Sequence, residues 1–212
     1  MRIAIIGTGV VGRTLAVAFQ ALGHDVVVGT RNPDETGRRE EWAGLQVPLR
    51  PLETAAGDAD LVVNATSGQG SLAALGGVGT DHLAGKVLLD VSNPLDFSQG
   101  FPPTLSVKDT DSLAEQIQAA FPDARVVKSL NTLTAPLMVD PGLLDEATTV
   151  FVSGDDADAK AAVTELLTAF GHQDVIDLGG IETARGTEML LPLWLRTMGA
   201  LGTGMFNIKV VR

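Results

Sequence analysis

Three glycines near the start of the chain, Gly7, Gly9 and Gly12, are spaced for one kind of chemistry, the cradling of a diphosphate. They follow the apolar run Arg2–Ile6 and open a helical pattern over Val10–Leu22, so the spacing falls on a strand–turn–helix unit. In that setting Gly7 permits the tight turn, Gly9 lets the backbone approach a pyrophosphate, and Gly12 lets the helix pack on the strand. The anion would rest on the unpaired N–H groups of the helix N-terminus.

The second strand ends in Gly29-Thr30-Arg31-Asn32. A site for NAD normally carries Asp or Glu here, to accept hydrogen bonds from the ribose 2′-hydroxyl. Thr30 and Arg31 instead offer a hydroxyl and a guanidinium, which suit a 2′-phosphate and select NADP over NAD. Arg38 and Arg39 add positive charge nearby in sequence.

Three later strand ends are small and polar: Asn64-Ala65-Thr66-Ser67-Gly68, Asp90-Val91-Ser92-Asn93-Pro94 and Lys128-Ser129-Leu130-Asn131-Thr132. In an open α/β sheet the ligand lies outside the carboxyl ends of the strands, so these loops are expected around a nicotinamide and its ribose. Acid–base equipment is sparse. There is no cysteine and no tyrosine, and the three histidines show no metal-ligand spacing. His24 and His172 each follow a glycine at a helix-to-strand turn, which points to capping, and His82 sits in a short exposed connection. Oxidising an alcohol normally needs a base, whereas hydride transfer between two ring cofactors needs mainly proximity and orientation. No residue is therefore assigned a catalytic proton transfer.

The elements that must position these residues alternate along the chain. Arg2–Ile6, Asp25–Gly29, Asp60–Asn64, Lys86–Asp90, Arg125–Lys128, Thr149–Ser153 and Asp174–Asp177 read as strands, several with the unbroken apolarity of parallel strands covered on both faces. Helical patterns fall at Val10–Leu22, Ser71–Leu75, Ser112–Ala120 and Ala157–Phe170, the last with acidic residues at its start and Gly171 past its end. The expected fold is α/β, a doubly wound, mainly parallel Rossmann sheet with a small C-terminal helical and strand extension. Asn93–Val107, with three prolines, reads as an ordered loop, and Phe206–Val211 as a terminal strand. Residues 1–212 are expected to form a single domain, with 1–180 as the nucleotide-binding core and 181–212 completing an acceptor cleft.

Composition narrows the partners. Fifteen Lys and Arg against 26 Asp and Glu give a net charge of −11, a surface that repels nucleic acid. Met189–Phe206 is apolar but broken by Pro192 and Arg196, too interrupted for a membrane span. With no cysteine and no targeting pattern, the expectation is a cytoplasmic protein that handles small-molecule redox cofactors. Leu190, Leu191, Leu193, Trp194, Leu195 and Met198 exceed one helix face, which predicts a homodimer contact beside an acceptor pocket.

The N-terminal motif, the segment Gly23-His24-Asp25 to Gly29-Thr30-Arg31, and the stretches Asp90–Leu95, Val127–Thr132 and Ala184–Glu188 together resemble the coenzyme F420-dependent NADP oxidoreductase family, over nearly the whole chain. The resemblance implies reversible hydride transfer between NADP(H) and a deazaflavin, coenzyme F420. It places the diphosphate on Thr8, Gly9, Val10 and Val11 and the 2′-phosphate on Thr30 and Arg31. It puts Thr66, Asn93 and Ala135 along the nicotinamide, and Asn131, Leu133 and Pro192 against the deazaflavin. Two departures stand out: Asn131 replaces a histidine of archaeal members, and Asp34-Glu35 stand where those members carry a lysine. The competing expectations are an NADPH-dependent reductase of a flavin, an imine or ferric iron, and a non-catalytic NADP(H) sensor.

Overall fold

In the computed structural model, which describes residues 1–212, the expected alternation is realised with additions. Along the chain come β1 (Arg2–Ile6), α1 (Val10–Ala21), β2 (Asp25–Thr30), α2 (Pro33–Gly37), β3 (Leu49–Pro51), α3 (Leu52–Gly57), β4 (Leu61–Asn64), α4 (Gly68–Val78), α5 (Thr80–Leu83) and β5 (Val87–Asp90). A short antiparallel hairpin, β6 (Leu95–Asp96) and β7 (Thr104–Leu105), then interrupts the pattern. After it follow α6 (Leu113–Ala120), β8 (Arg125–Ser129), α7 (Ala135–Val139), β9 (Thr149–Ser153), α8 (Ala157–Ala169), β10 (Asp174–Asp177), α9 (Ala184–Met189) and α10 (Leu191–Leu201).

The eight-stranded sheet has the order β10-β9-β8-β5-β4-β1-β2-β3. From β3 to β8 every pairing is parallel, so six strands send their carboxyl ends to one edge. The direction of strand order reverses beside β1, which opens the crevice where a Rossmann sheet takes its ligand. The last two strands are the exception. β9 runs against β8, and β10 runs parallel to β9.

Strand alternation sends side chains to two cores. Ile3 and Ile5 join Leu15, Phe19, Val63, Leu89 and Val163 on one face. Ala4 and Ile6 join Leu75, Leu88, Leu113 and Ile117 on the other. Each fully buried aliphatic side chain contributes roughly 1.5–3 kcal/mol by leaving water, which is what fixes the register of these strands.

Three readings of the sequence need correction. The helix expected at Ser71–Leu75 extends over Gly68–Val78; its four glycines, poor helix formers, masked its ends, and at Gly68 the residue serves close approach. A Cβ on Gly68 would lie 2.0 Å from the carbonyl oxygen of Asn93, so the loops after β4 and β5 touch through backbone. The edge strand β3 passed unnoticed, being three residues long with an arginine and a proline. No strand forms at Phe206–Val211. The tail is clipped to the start of β9 instead: Thr149 N donates to Ile208 O, Val210 N donates to Thr149 Oγ1, and the Asn207 amide donates to Thr149 O. β8 pairs only with the end of β9, at Val152 and Ser153, so the tail meets the start of β9 that β8 leaves open.

Candidate functional site

The glycine turn is built by exclusion. Gly7 has φ +131°, and a Cβ there would sit 2.4 Å from Ala65 O in the next loop. A Cβ on Gly12 would sit 2.1 Å from Gly7 O, whereas one on Gly9 would meet nothing within 4 Å. Gly7 and Gly12 thus serve the fold, and the space over Gly9 is left for a ligand. Gly9 also occupies the N-cap of α1, with no side-chain cap and no acid in the first turn, so the leading amides remain available to an anion. Two side chains hold this turn from below. Trp42 Nε1 and Arg13 Nη1 both donate to Thr8 O, at 3.3 and 3.2 Å.

From the turn a 760 Å³ cavity extends across the ends of β1, β2 and β4, bordered by Gly7, Thr8, Gly9, Thr30, Arg31 and Thr66 among others. At its far end the Thr30 and Thr36 hydroxyls share a 2.8 Å hydrogen bond. Asn32 caps α2 by accepting from Glu35 N at 3.1 Å. Glu35, in the position where a carboxylate would oppose a phosphate, is paired with Arg39 at 3.1 Å. Arg31 is exposed on the cavity wall and makes no ion pair. The end therefore carries two guanidinium groups against one carboxylate, a fit for the extra phosphate of NADP and a poor one for a bare ribose diol. Arg38 does not reach the cavity.

A second cavity of 270 Å³ shares Ala65, Thr66 and Ser67 with the first and continues along the sheet edge. Val11, Val91, Ser92, Asn93, Leu133 and Met138 complete most of its wall, and no lining side chain is ionisable at neutral pH. Its size and chemistry suit a planar ring more than a charged group.

Beneath that wall lies a buried polar network. Lys128 Nζ contacts Asp90 Oδ2 at 2.8 Å, Glu188 Oε1 at 2.8 Å and Ser92 O at 2.6 Å. Burial works against the Lys128 charge, but Asp90 and Glu188 outweigh it and hold the ammonium above its ordinary pKa. Glu188, from α9, also accepts from Leu113 N and Ala114 N and so closes the N-terminus of α6. The other Asp90 oxygen accepts from Asn64 Nδ2 at 2.8 Å and Ser92 Oγ at 2.6 Å, and Asn64 Oδ1 accepts from Thr66 Oγ1 at 2.7 Å. Each loop bordering the ring-sized cavity is thereby fixed to its neighbour.

Leu130, at φ 61°, turns the chain sharply after β8 in a conformation leucine rarely adopts. That turn presents Asn131 to Asn93. Asn93 Nδ2 donates to Asn131 O at 2.7 Å, and Asn131 Nδ2 donates to Asn93 Oδ1 at 3.0 Å and to Thr187 O at 3.1 Å.

The structure thus brings Gly7, Thr8, Gly9, Thr30, Arg31 and Thr66 to the large cavity and Val11, Thr66, Asn93 and Leu133 to the small one. Gly12 packs behind the turn, and Val10 is exposed beside it. Asn131 and Ala135 are buried behind the wall. Pro192 borders a separate 290 Å³ cavity against the hairpin. His24 and His172 do cap helices, through backbone rather than side chain: after Gly23 and Gly171 their N–H groups donate to Phe19 O at 3.1 Å and Leu167 O at 3.0 Å and close α1 and α8. The His24 ring stacks edge-on against Phe19, and buried His172 donates through Nε2 to Met138 O. Sequence reasoning missed Trp42, Arg13, Lys128 and Glu188. The signal for the last two was a charge inside an otherwise apolar run, Val126-Val127-Lys128 and Glu188-Met189-Leu190.

Another depression, of 590 Å³, is lined by Glu115, Asp123, Asp155 and Asp156 with Arg125 as the one cation, and this excess of carboxylates would repel a dinucleotide. No helix is long and apolar enough to cross a membrane.

Comparison with known proteins agrees with the geometry. The family described as NADP oxidoreductase coenzyme F420-dependent matches residues 2–94. A crystal structure of a candidate F420-dependent NADP reductase from Arthrobacter sp. FB24 is 56% identical, with a TM-score of 0.97 and full coverage of both chains. The F420-dependent NADP reductase of Methanothermobacter marburgensis is 28% identical over 208 residues, 91% of this chain and 90% of that protein. Metalloreductase STEAP3 of Rattus norvegicus is 33% identical over 211 residues, 95% of this chain, and the chain spans 39% of that longer protein.

Proposed function

The chain belongs to the F420-dependent NADP oxidoreductase family, and from that premise we propose that it transfers hydride between NADP(H) and coenzyme F420. The observation that carries this reading is the ring-sized cavity without an ionisable wall, continuous with a diphosphate cradle. The bound nicotinamide and deazaflavin supply the redox chemistry themselves. The chain's part is to fix position and keep water out. Thr8 to Val11 hold the diphosphate, and Thr30 and Arg31 the 2′-phosphate. Thr66 and Asn93 face the nicotinamide, with Ala135 supporting that side from behind. Leu133 offers the deazaflavin an apolar surface, Asn131 sets the position of Asn93, and Pro192 borders the acceptor from α10. Residues 1–180 act as the NADP-binding core of one domain, which 181–212 close on the acceptor side.

Mixing the protein with NADPH and oxidised coenzyme F420 is expected to bleach the visible absorbance of the deazaflavin. Turnover with free flavin, an imine or ferric iron but none with coenzyme F420 would replace this acceptor by another. Tight NADPH binding without any turnover would make the protein a sensor.

The same reading includes a cytoplasmic homodimer. Leu193 and Leu201 of α10 are 60% and 57% exposed while Leu191 and Leu195 face inward, so the helix keeps an apolar face on each side. Sedimentation at micromolar concentration is expected to give twice the 22.0 kDa chain mass. A single 22.0 kDa species would remove the dimer. Recovery of the native protein from a membrane or periplasmic fraction would remove the cytoplasmic assignment.

A further inference from the structure

We propose that the 290 Å³ cavity between the hairpin and α10 receives an anionic arm of the acceptor, bearing phosphate or carboxylate, through Lys108 and Arg196. The inference rests on the acceptor being a deazaflavin ring seated in the neighbouring cavity. Lys108 and Arg196 are the charged members of this lining, and no carboxylate accompanies them there. That is unusual on a chain of net charge −11.

The other cations show why Arg196 stands out. Most arginines and lysines are engaged: Arg2 with Asp60, Arg39 with Glu35, Arg185 with Glu115 and Lys160 with Asp177. Arg31, Arg38 and Arg196 make neither an ion pair nor a side-chain hydrogen bond. Of these, Arg31 and Arg196 border cavities. Arg31 lies at the end assigned to a phosphate, and Arg196 repeats the arrangement on the acceptor side. Lys108 has one loose neighbour, Asp109, at 3.8 Å, and both side chains are exposed, a pair of little worth.

Apart from Thr104 the remaining wall is apolar. Pro102, Pro103 and Pro192 restrict its backbone, so little conformational entropy is lost when a ligand settles there. One hairpin borders both cavities: Leu95 lines the ring cavity, and its register partner Leu105 lines this one. Ser106 N donates to Pro94 O at 2.8 Å and ties the two ends of the loop together. A ligand whose ring fills the first space can therefore extend past the hairpin to the second.

Equilibrium binding tests this, with deazaflavin fluorescence as the readout and NADP⁺ present so that no turnover occurs. Two ligands are compared: complete coenzyme F420, and its riboflavin-like fragment that lacks the phosphate and glutamyl groups. The wild-type protein is expected to bind the complete coenzyme about tenfold more tightly than the fragment. Raising salt from about 50 mM to about 500 mM narrows that gap. The K108A/R196A variant is expected to lose the preference, with fragment affinity and NADPH affinity kept, the latter showing that it is folded. Equal wild-type affinities for both ligands would overturn the inference and leave the deazaflavin reading intact. An unchanged preference in the variant would do the same. Failure of the wild-type protein to bind either ligand would remove the acceptor reading, and this inference with it.

Discussion

Replacing Thr30 by aspartate and Arg31 by alanine weakens NADPH binding by about a hundredfold and leaves NADH binding within about threefold of wild type, or tightens it. A hydrogen bond to a charged group contributes about 1.5–3 kcal/mol, so losing the Arg31 guanidinium accounts for a factor of roughly 10–150. Aspartate at position 30 adds repulsion of the 2′-phosphate and supplies the acceptor that a ribose diol wants. The change is sterically mild. Thr30 already shares a hydrogen bond with the Thr36 hydroxyl at 2.8 Å, and that hydroxyl can donate to the new carboxylate. The single variants divide the effect, because Arg31→Ala removes attraction while Thr30→Asp adds discrimination. Titrating each dinucleotide against tryptophan fluorescence measures both affinities. A ratio equal to the wild-type ratio would mean that the cavity end holding Arg31 and Arg39 does not meet the phosphate at all.

Lys128→Met destabilises the fold by about 3–5 kcal/mol, because it strands two carboxylates in a place without water. Asp90 and Glu188 are completely buried, as is the lysine. An exposed pair such as Lys209–Glu146 is the contrast: Lys209→Met costs at most about 1 kcal/mol. Urea denaturation of both variants gives the comparison. Removing a carboxylate together with the lysine, as in Lys128→Met with Glu188→Gln, is expected to recover part of the loss. The sign of the pH dependence follows from the raised pKa of Lys128. Its contribution is fully present below the ordinary lysine value of about 10.4 and disappears as pH climbs through the higher value of the folded state. Alkaline unfolding of wild type should therefore have a lysine component that Lys128→Met lacks. A methionine variant within about 1 kcal/mol of wild type would show that the network is ornamental.

The dinucleotide half was legible because its constraints are local. Gly7, Gly9 and Gly12 fall within one turn, and the steric reason for two of them is contact within that turn or with the adjacent loop. Thr30 and Arg31 close the next strand, so counting along the chain was enough to find them. The acceptor half was less legible because its walls are assembled from distant pieces. Leu133 is a core residue by composition, and only the turn at Leu130 shows why it borders a cavity. Lys128 reads as the last residue of a strand, and it does lie in β8, but its partners are 38 and 60 residues away, at Asp90 and Glu188. The reversed direction of β9 and β10 was equally hidden. Short apolar strands carry no mark of which way their neighbour runs.

The reach of Glu188 has a consequence for the order in which the protein is made. The glycine turn, β2 and the loop after β4 all leave the ribosome within the first third of the chain, so the crevice for the dinucleotide can close early. Helix α6 emerges long before its first two amides have a partner, since Glu188 follows Leu113 by 75 residues. Lys128 likewise waits, half-paired, for the same carboxylate. The clamp on α6 is therefore among the later parts synthesised, and a nascent chain that stops short of α9 has the glycine turn and β2 but neither carboxylate contact from Glu188.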